Sequence, residues 1–211
     1  DNFAVLLYGL RASLTVATIA TVLSTLIGVV MGLLAGFSRG WLDRIITFII
    51  DLMLSFPLLL MGIALSPIIL SHYRFNQSGL PMALMITVVT ILTVFGWMGL
   101  ARLVRGEVKS LREREFVQAA RAIGVPTRQI LFKEILPNLV GPIIVSASIA
   151  VPAYITYEAT LSYLGAGLVE PTASWGRTIA DAQNLFATYP LWLWPSVIGL
   201  SALVLALTLL G

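Results

Sequence analysis

The sequence predicts an all-α integral membrane protein, and three observations carry that expectation. Of its 211 residues, 58% are hydrophobic and 11% are charged, against roughly 25% charged in soluble domains. That leaves too little polar surface to cover a water-soluble globule. Five apolar runs of 20 to 28 residues are present, each long enough to cross a hydrocarbon layer of about 30 Å as a helix. Twelve of the 23 charged side chains fall in one stretch between two of those runs. The runs lack alternating polar residues, which argues against a β-barrel.

Taken in order, the predicted spans are 12–37, 45–70, 80–101, 138–165 and 191–210, with a loop at 102–137, all in one membrane domain over 1–211. The first, third and fifth carry no charge. The second contains Asp51 and the fourth Glu158. Runs longer than a perpendicular crossing imply tilt, kinks or helix continuing beyond the bilayer. Pro57, Pro67, Pro142 and Pro152 are the expected kink sites.

Orientation follows from the basic residues. Arg39 and Arg44 share one loop; Arg102, Arg105, Lys109, Arg112, Arg114, Arg121, Arg128 and Lys133 occupy another on the same side. The opposite side has Arg11, Arg74 and Arg177. Ten against three places 38–44 and 102–137 in the cytoplasm. Residue 1 is then expected outside, which implies a further span upstream, and a short cytoplasmic tail is expected after Gly211.

Between Arg102 and Glu134, eight basic and four acidic residues give a net charge of +4. A connection of that length is expected to be structured or partnered. Phe116, Ala119, Ala120 and Ile123 recur at the spacing of one helix face, while Glu115, Gln118, Arg121 and Ala122 point elsewhere. Gly124 fits a left-handed helix terminus, and Pro126 prevents continuation. A second helical piece is predicted over Arg128 to Leu136, before Pro137 returns the chain to the membrane. Small residues at 119, 120, 122 and 124 permit close approach by another surface. Nucleic acid does not fit: glutamates interleave with the bases, and no aromatic stacking platform accompanies them.

The run Gln118-Ala-Ala-Arg-Ala-Ile-Gly124, followed by Leu136-Pro137, resembles the EAA loop of ABC importer permeases, with both spacings matched. Gln118 departs from the motif's glutamate, and Glu134 stands where isoleucine is usual. Tyr8 to Leu14, Asp51 with Pro57, Glu158 to Gly167, and Pro171-Thr-Ala-Ser-Trp-Gly176 are similar to stretches of dipeptide and oligopeptide permeases, the last two to their second permease subunit. The resemblance implies a type I importer permease fold with six spans, the first absent here. It also implies a homologous second permease, two ABC ATPase subunits, an extracytoplasmic solute-binding protein and a bacterial or archaeal cytoplasmic membrane. ATPase coupling is then expected at Glu115, Gln118, Ala119, Ala120, Arg121, Gly124, Leu136 and Pro137. Arg112, outside the apolar stripe, is expected to matter far less. An ATP-independent secondary transporter or channel is the alternative. An intramembrane enzyme lacks the Ser-His or paired-Asp residues it would need.

Both intramembrane acids, Glu158 and Asp51, are pathway candidates: Asp51, six residues into its span, is otherwise expected to pair with Arg44 or another loop base, and Glu158 is expected either to hydrogen-bond within the bundle or to line the outer pathway. Trp175, Trp192, Trp194, Tyr163 and Tyr189 read as an interfacial aromatic belt, and Gly165, Gly167 and Gly176 as external turns. The chain has no cysteine and a single histidine, His72, to which no function is assigned, so no metal site is expected. It contains no Gly-Lys pair and hence no Gly-x4-Gly-Lys-Ser/Thr loop. No cofactor is expected on this chain; ATP and Mg belong to partner subunits.

Overall fold

The computed structural model describes residues 2–72, 79–168 and 172–211. Asp1, the His72 side chain, Arg74 and Pro171 lie outside the described residues. The helices are α1 (Asn2–Phe37), α2 (Trp41–Leu54), α3 (Leu58–His72), α4 (Leu80–Leu111), α5 (Glu115–Ala122), α6 (Thr127–Gln129), α7 (Leu136–Tyr163), α8 (Trp175–Asn184) and α9 (Leu193–Leu210). There is no strand among the described residues. Four helical stretches are long and apolar enough to cross a membrane, and five if α2 and α3 together make one broken crossing.

That break corrects the predicted continuous run 45–70. α2 closes with Ser55 N–H on Leu52 O at 3.1 Å and Phe56 N–H on Met53 O at 3.1 Å. Pro57 has no N–H to continue the ladder, and it disfavours the α conformation at Phe56 before it. Pro67, Pro142 and Pro152 instead lie within α3 and α7. α4 continues ten residues past the predicted 101. Extension beyond the apolar run is therefore how the chain uses its length.

The backbone groups into two compact units. One comprises Leu23–Phe56 and Phe95–Ala147. Its α1 residues include Gly28, Gly32 and Gly36, one face of a helix at four-residue spacing. A Cβ on Gly28 would lie 2.9 Å from the Trp97 carbonyl oxygen, and one on Gly32 or Gly36 would lie 2.6 Å from the Cβ of Val104 or Val108. This is the small-x-x-x-small pattern that lets two helix backbones touch. Around the seam, Leu33, Val104 and Val108 join Val117, Ile130, Ile135 and Leu139 in one buried cluster. Ile46 and Ile50 of α2 pack with Ala35, Trp97, Met98 and Ala101 in another.

The other unit comprises Asp1–Val22, Pro57–Val94 and Ser148–Gly211. Val16, Ala17 and Ala20 of α1, Val88 and Leu92 of α4, and Tyr154, Ile155 and Leu161 of α7 form its apolar core. Within it Glu158 is fully buried. Ser13 Oγ donates to its Oε2 at 2.5 Å, while Ser162 and Ser174 donate to its Oε1 at 2.8 and 2.9 Å. Ser162 Oγ also accepts the Leu168 N–H at 2.9 Å. α7 ends at Gly165, φ 77°, where Ala166 N–H reaches back to Leu161 O at 2.8 Å.

Two interfacial expectations change here. Trp175 is only 5% exposed, with its indole N–H donating to Leu6 O at 2.8 Å, so it is an inter-helix anchor and not part of a belt. Gly176 is no turn: it opens α8 against α7, where a Cβ would fall 1.9 Å from the Ala159 carbonyl oxygen. Gly167 is likewise a close approach, to Ser162. Tyr189 and Trp194 remain exposed.

Gly32→Val should lower the thermal unfolding midpoint of the nanodisc-embedded protein, with an overpacking cost of about 1–3 kcal/mol. Gly99→Ala, which meets nothing within 4 Å, is the control and should melt with the wild type. Equal midpoints for all three would remove the glycine seam as a packing constraint. Glu158→Ala should also unfold earlier, by about 3 kcal/mol, because buried hydroxyl donors lose their acceptor. Normal melting with lost uptake would instead make Glu158 a pathway residue.

Candidate coupling segment and intramembrane acids

The predicted short amphipathic helix is present as α5, held on its own chain by a residue outside the predicted stripe. Val117 is fully buried in the cluster with Val108 and Leu139, and Ala120 and Val125 pack beside it. That seating turns Phe116, Ala119 and Ile123 outward; Ile123 is 81% and Phe116 42% exposed. The four-residue stripe is thus divided: Ala120 belongs to the inner side and the other three form an exposed apolar face. Glu115 lies in the first turn, where a carboxylate is favoured by the helix dipole.

α5 ends as its sequence predicts. Gly124 adopts φ 77°, its N–H bonds Arg121 O at 3.0 Å, and Val125 N–H bonds Ala120 O at 3.0 Å. This pair of bonds is the Schellman terminus, with Ala120 and Val125 as its hydrophobic contact. A Cβ on Gly124 would meet nothing within 4 Å. The glycine therefore serves the backbone conformation and leaves an open, low-relief surface beside Ile123.

The second helical piece is corrected in one respect. Thr127–Gln129 runs into a π-helical segment, Ile130–Ile135, and then into α7, so helix is continuous from Thr127 to Tyr163. Pro137 does not turn the chain. It lacks an N–H and would crowd an α-helical carbonyl, and the wider π turn sits immediately before it. Leu136 is half-buried against the Val104 cluster, whereas Pro137 is exposed.

Much of the positive charge is matched within the chain. Asp43 accepts Arg105 Nε and Lys109 Nζ, each at 2.7 Å. Asp51 pairs with Arg102 at 2.5 Å, so its partner is a base from the long segment rather than Arg44. Both acids lie on α2 and both sets of bases on α4. Arg112 is a hub that sequence reasoning undervalued: its Nη1 donates to Gly36 O at 2.9 Å and Ser38 O at 3.2 Å, capping the end of α1. Gln118 donates to Arg112 O at 3.3 Å. Arg121 lies over the Phe37 ring at 4.8 Å. The only sequence signal for these contacts was the i, i+4 placement of Arg105 and Lys109, which offers an acid two donors on one face.

Of the two pathway candidates, Asp51 stands in an exposed ion pair with Arg102 and Glu158 is enclosed by three serines. Among the described residues no group of three or more His, Cys, Asp or Glu is placed to hold a metal ion.

Residues 28–211 match the family described as "Binding-protein-dependent transport system inner membrane component". The oligopeptide transport system permease protein OppC of Bacillus subtilis (strain 168) is 38% identical over 190 residues, covering 90% of this chain and 58% of that protein. The dipeptide transport system permease protein DppC of Alkalihalophilus pseudofirmus is 36% identical, covering 90% of this chain and 59% of its own length. The chain thus spans rather less than two thirds of these relatives. In structure, a chain of the MetNI methionine ABC transporter, solved in inward-facing conformations, superposes with a TM-score of 0.77 at 20% identity, covering 98% of this chain and 93% of that one. The helical architecture is therefore that of an ABC importer permease. With the family match running from Gly28 to Gly211, the chain belongs to the binding-protein-dependent transport system inner membrane components.

Proposed function

We propose that this chain is a permease subunit of an ATP-driven importer for di- or oligopeptides. In that reading it lines part of the pathway beside a homologous second permease in a bacterial or archaeal cytoplasmic membrane. An extracytoplasmic binding protein delivers the solute. Two ATPase subunits bind ATP and Mg and carry out the hydrolysis, and this chain supplies no catalytic group. The peptide assignment is supported by its similarity to the oligopeptide and dipeptide permeases.

The single observation that carries the ATP-driven reading is α5. Its inner face is anchored by Val117, and its outer face presents Phe116, Ala119 and Ile123 beside the open surface at Gly124. An exposed apolar face on a short, firmly terminated helix is the shape expected of a knob that enters another protein's cleft. A carrier or channel driven without ATP leaves that face without a task. Transport then requires that ATP binding on the partners favours one state of the permease. Shifting a two-state equilibrium from 1:99 to 99:1 takes about 5.5 kcal/mol, part of which must pass through this contact.

Gly124→Asp places a side chain and a charge on that surface at a φ that L-residues adopt reluctantly. Losing about 2 kcal/mol there, roughly thirtyfold in the equilibrium, should depress both uptake and substrate-stimulated ATPase activity in vesicles reconstituted with the whole transporter. Assembly is followed by copurification. Wild-type values of both in an intact complex would eliminate α5 as the coupling element. Topology is checked separately, because the chain has no native cysteine. A single cysteine at Ala187 should react with an impermeant thiol reagent applied outside, and one at Arg128 should not; the reverse pattern would invert the orientation.

A further inference from the structure

The side of α5 toward its own chain carries a polar network that docking does not explain. Arg112, whose side chain is 17% exposed, caps Gly36 O and Ser38 O and also donates Nε to Glu113 Oε1 at 3.1 Å. Glu113 Oε1 accepts Arg39 Nη2 at 3.3 Å as well. From the other direction, Gln118 Nε2 donates to Glu113 Oε2 at 3.4 Å and to Arg112 O at 3.3 Å. Glu113 is thus gripped by two guanidinium groups on one oxygen and by an amide on the other. The bonds through Gln118 connect α5 to the turn that follows α4.

We propose that Gln118 is a positioning residue that acts inward, its amide mooring α5 to the Arg112 and Glu113 hub. The amide is specifically required, because both of its partners are acceptors. An ionised carboxylate has no N–H or O–H to offer a carbonyl or a second carboxylate. Glutamate at 118 would restore the motif that Gln118 departs from, yet it would face Glu113 with like charge and cut the tether. The two directions of action thus predict opposite signs. If position 118 acted outward on a partner, glutamate would maintain or strengthen coupling; acting inward, it loosens the helix.

The test uses the full chain in nanodiscs with a spin label on Ala122→Cys, an exposed position on α5. Gln118→Glu should raise the ratio of mobile to immobile label about threefold, the scale of one exposed polar interaction. Adding Glu113→Gln removes the like charge and lets residue 113 donate across the same pair, but it leaves Arg112 O without its donor and takes the carboxylate from Arg39 and Arg112, so the label should return only part of the way to its wild-type mobility. A label unmoved by Gln118→Glu, or left by the exchange as mobile as in the single variant, overturns the proposal. The significance for transport rests on α5 being the docking helix, so uptake per ATP is measured on the same variants in the assembled transporter. A loss restored by the exchange supports the inward role, and higher uptake per ATP with Gln118→Glu overturns it. Label changes as expected with uptake per ATP unaltered would uphold the mooring and refute the docking reading instead.

Discussion

How closely α1 approaches α4 is the constraint on which the unit made of Leu23–Phe56 and Phe95–Ala147 depends. Gly28, Gly32 and Gly36 leave no room for a side chain between α1 and the backbone or Cβ atoms of α4. In lipid, apolar side chains gain nothing by leaving one apolar medium for another, so contact of this kind replaces the hydrophobic effect as the force between helices. The seam also sets what lies beyond it. It brings Gly36 O and Ser38 O within reach of Arg112, and Phe37 beneath Arg121. Ile46 and Ile50 seat α2 on the same pair of helices, with Asp43 and Asp51 supplying ion pairs along it. The attitude of α5 is inherited from this assembly, because Val117 packs against Val108 from the seam itself.

Polar groups in the other unit are used differently. Three serine hydroxyls, from α1, α7 and the segment before α8, converge on one carboxylate. A carboxylate with two oxygens and about four acceptor positions can gather all three. Ser162 then extends the network to the Leu168 amide, so a stretch outside regular helix is tied to α7 by side chains. Trp175 adds a second tie through Leu6 O, with Gly9 making room for its ring. A buried acid in such a network acts as a fastening for the irregular backbone between α7 and α8.

What the sequence made legible was local. The helix of α5, its left-handed glycine and the extension of helices past their apolar runs were readable because each depends on a few consecutive residues. Pro57 is an expected kink, but the full interruption is hidden because apolar side chains flank it on both sides with only Ser55 between them. Nonlocal facts were not legible: Ser13 and Glu158 are 145 residues apart, and nothing in either neighbourhood signals the other. Arg112 looked incidental because it lies off the apolar stripe, yet its partners are carbonyls, which sequence does not distinguish from any other backbone. The glycine seam stands in the sequence as a four-residue repeat, but the repeat does not say which helix it faces. The stripe on α5 had the right period but could not say which of its neighbours would be buried, since Val117 and Phe116 are both apolar and only the packing chooses between them.

Under the proposed docking role, that choice bears on how α5 would recognise a partner. The segment 102–134 carries a net charge of +4, which taken alone favours an acidic surface. Four of its eight bases, however, are already paired: Arg102 with Asp51, Arg105 and Lys109 with Asp43, and Arg112 with Glu113. Arg121 is turned onto Phe37. Much of the charge is thus taken up by contacts within the chain, while Phe116, Ala119 and Ile123 face outward. Shape and apolar contact, more than charge, are left to define the fit. A knob recognised by shape must hold its angle, because a hydrophobic contact does not steer at a distance as charge does. The Val117 anchor restricts that angle from the side of α5 that a partner would not touch, the Schellman terminus at Gly124 fixes where the helix stops, and the proposed mooring through Gln118 would add to both.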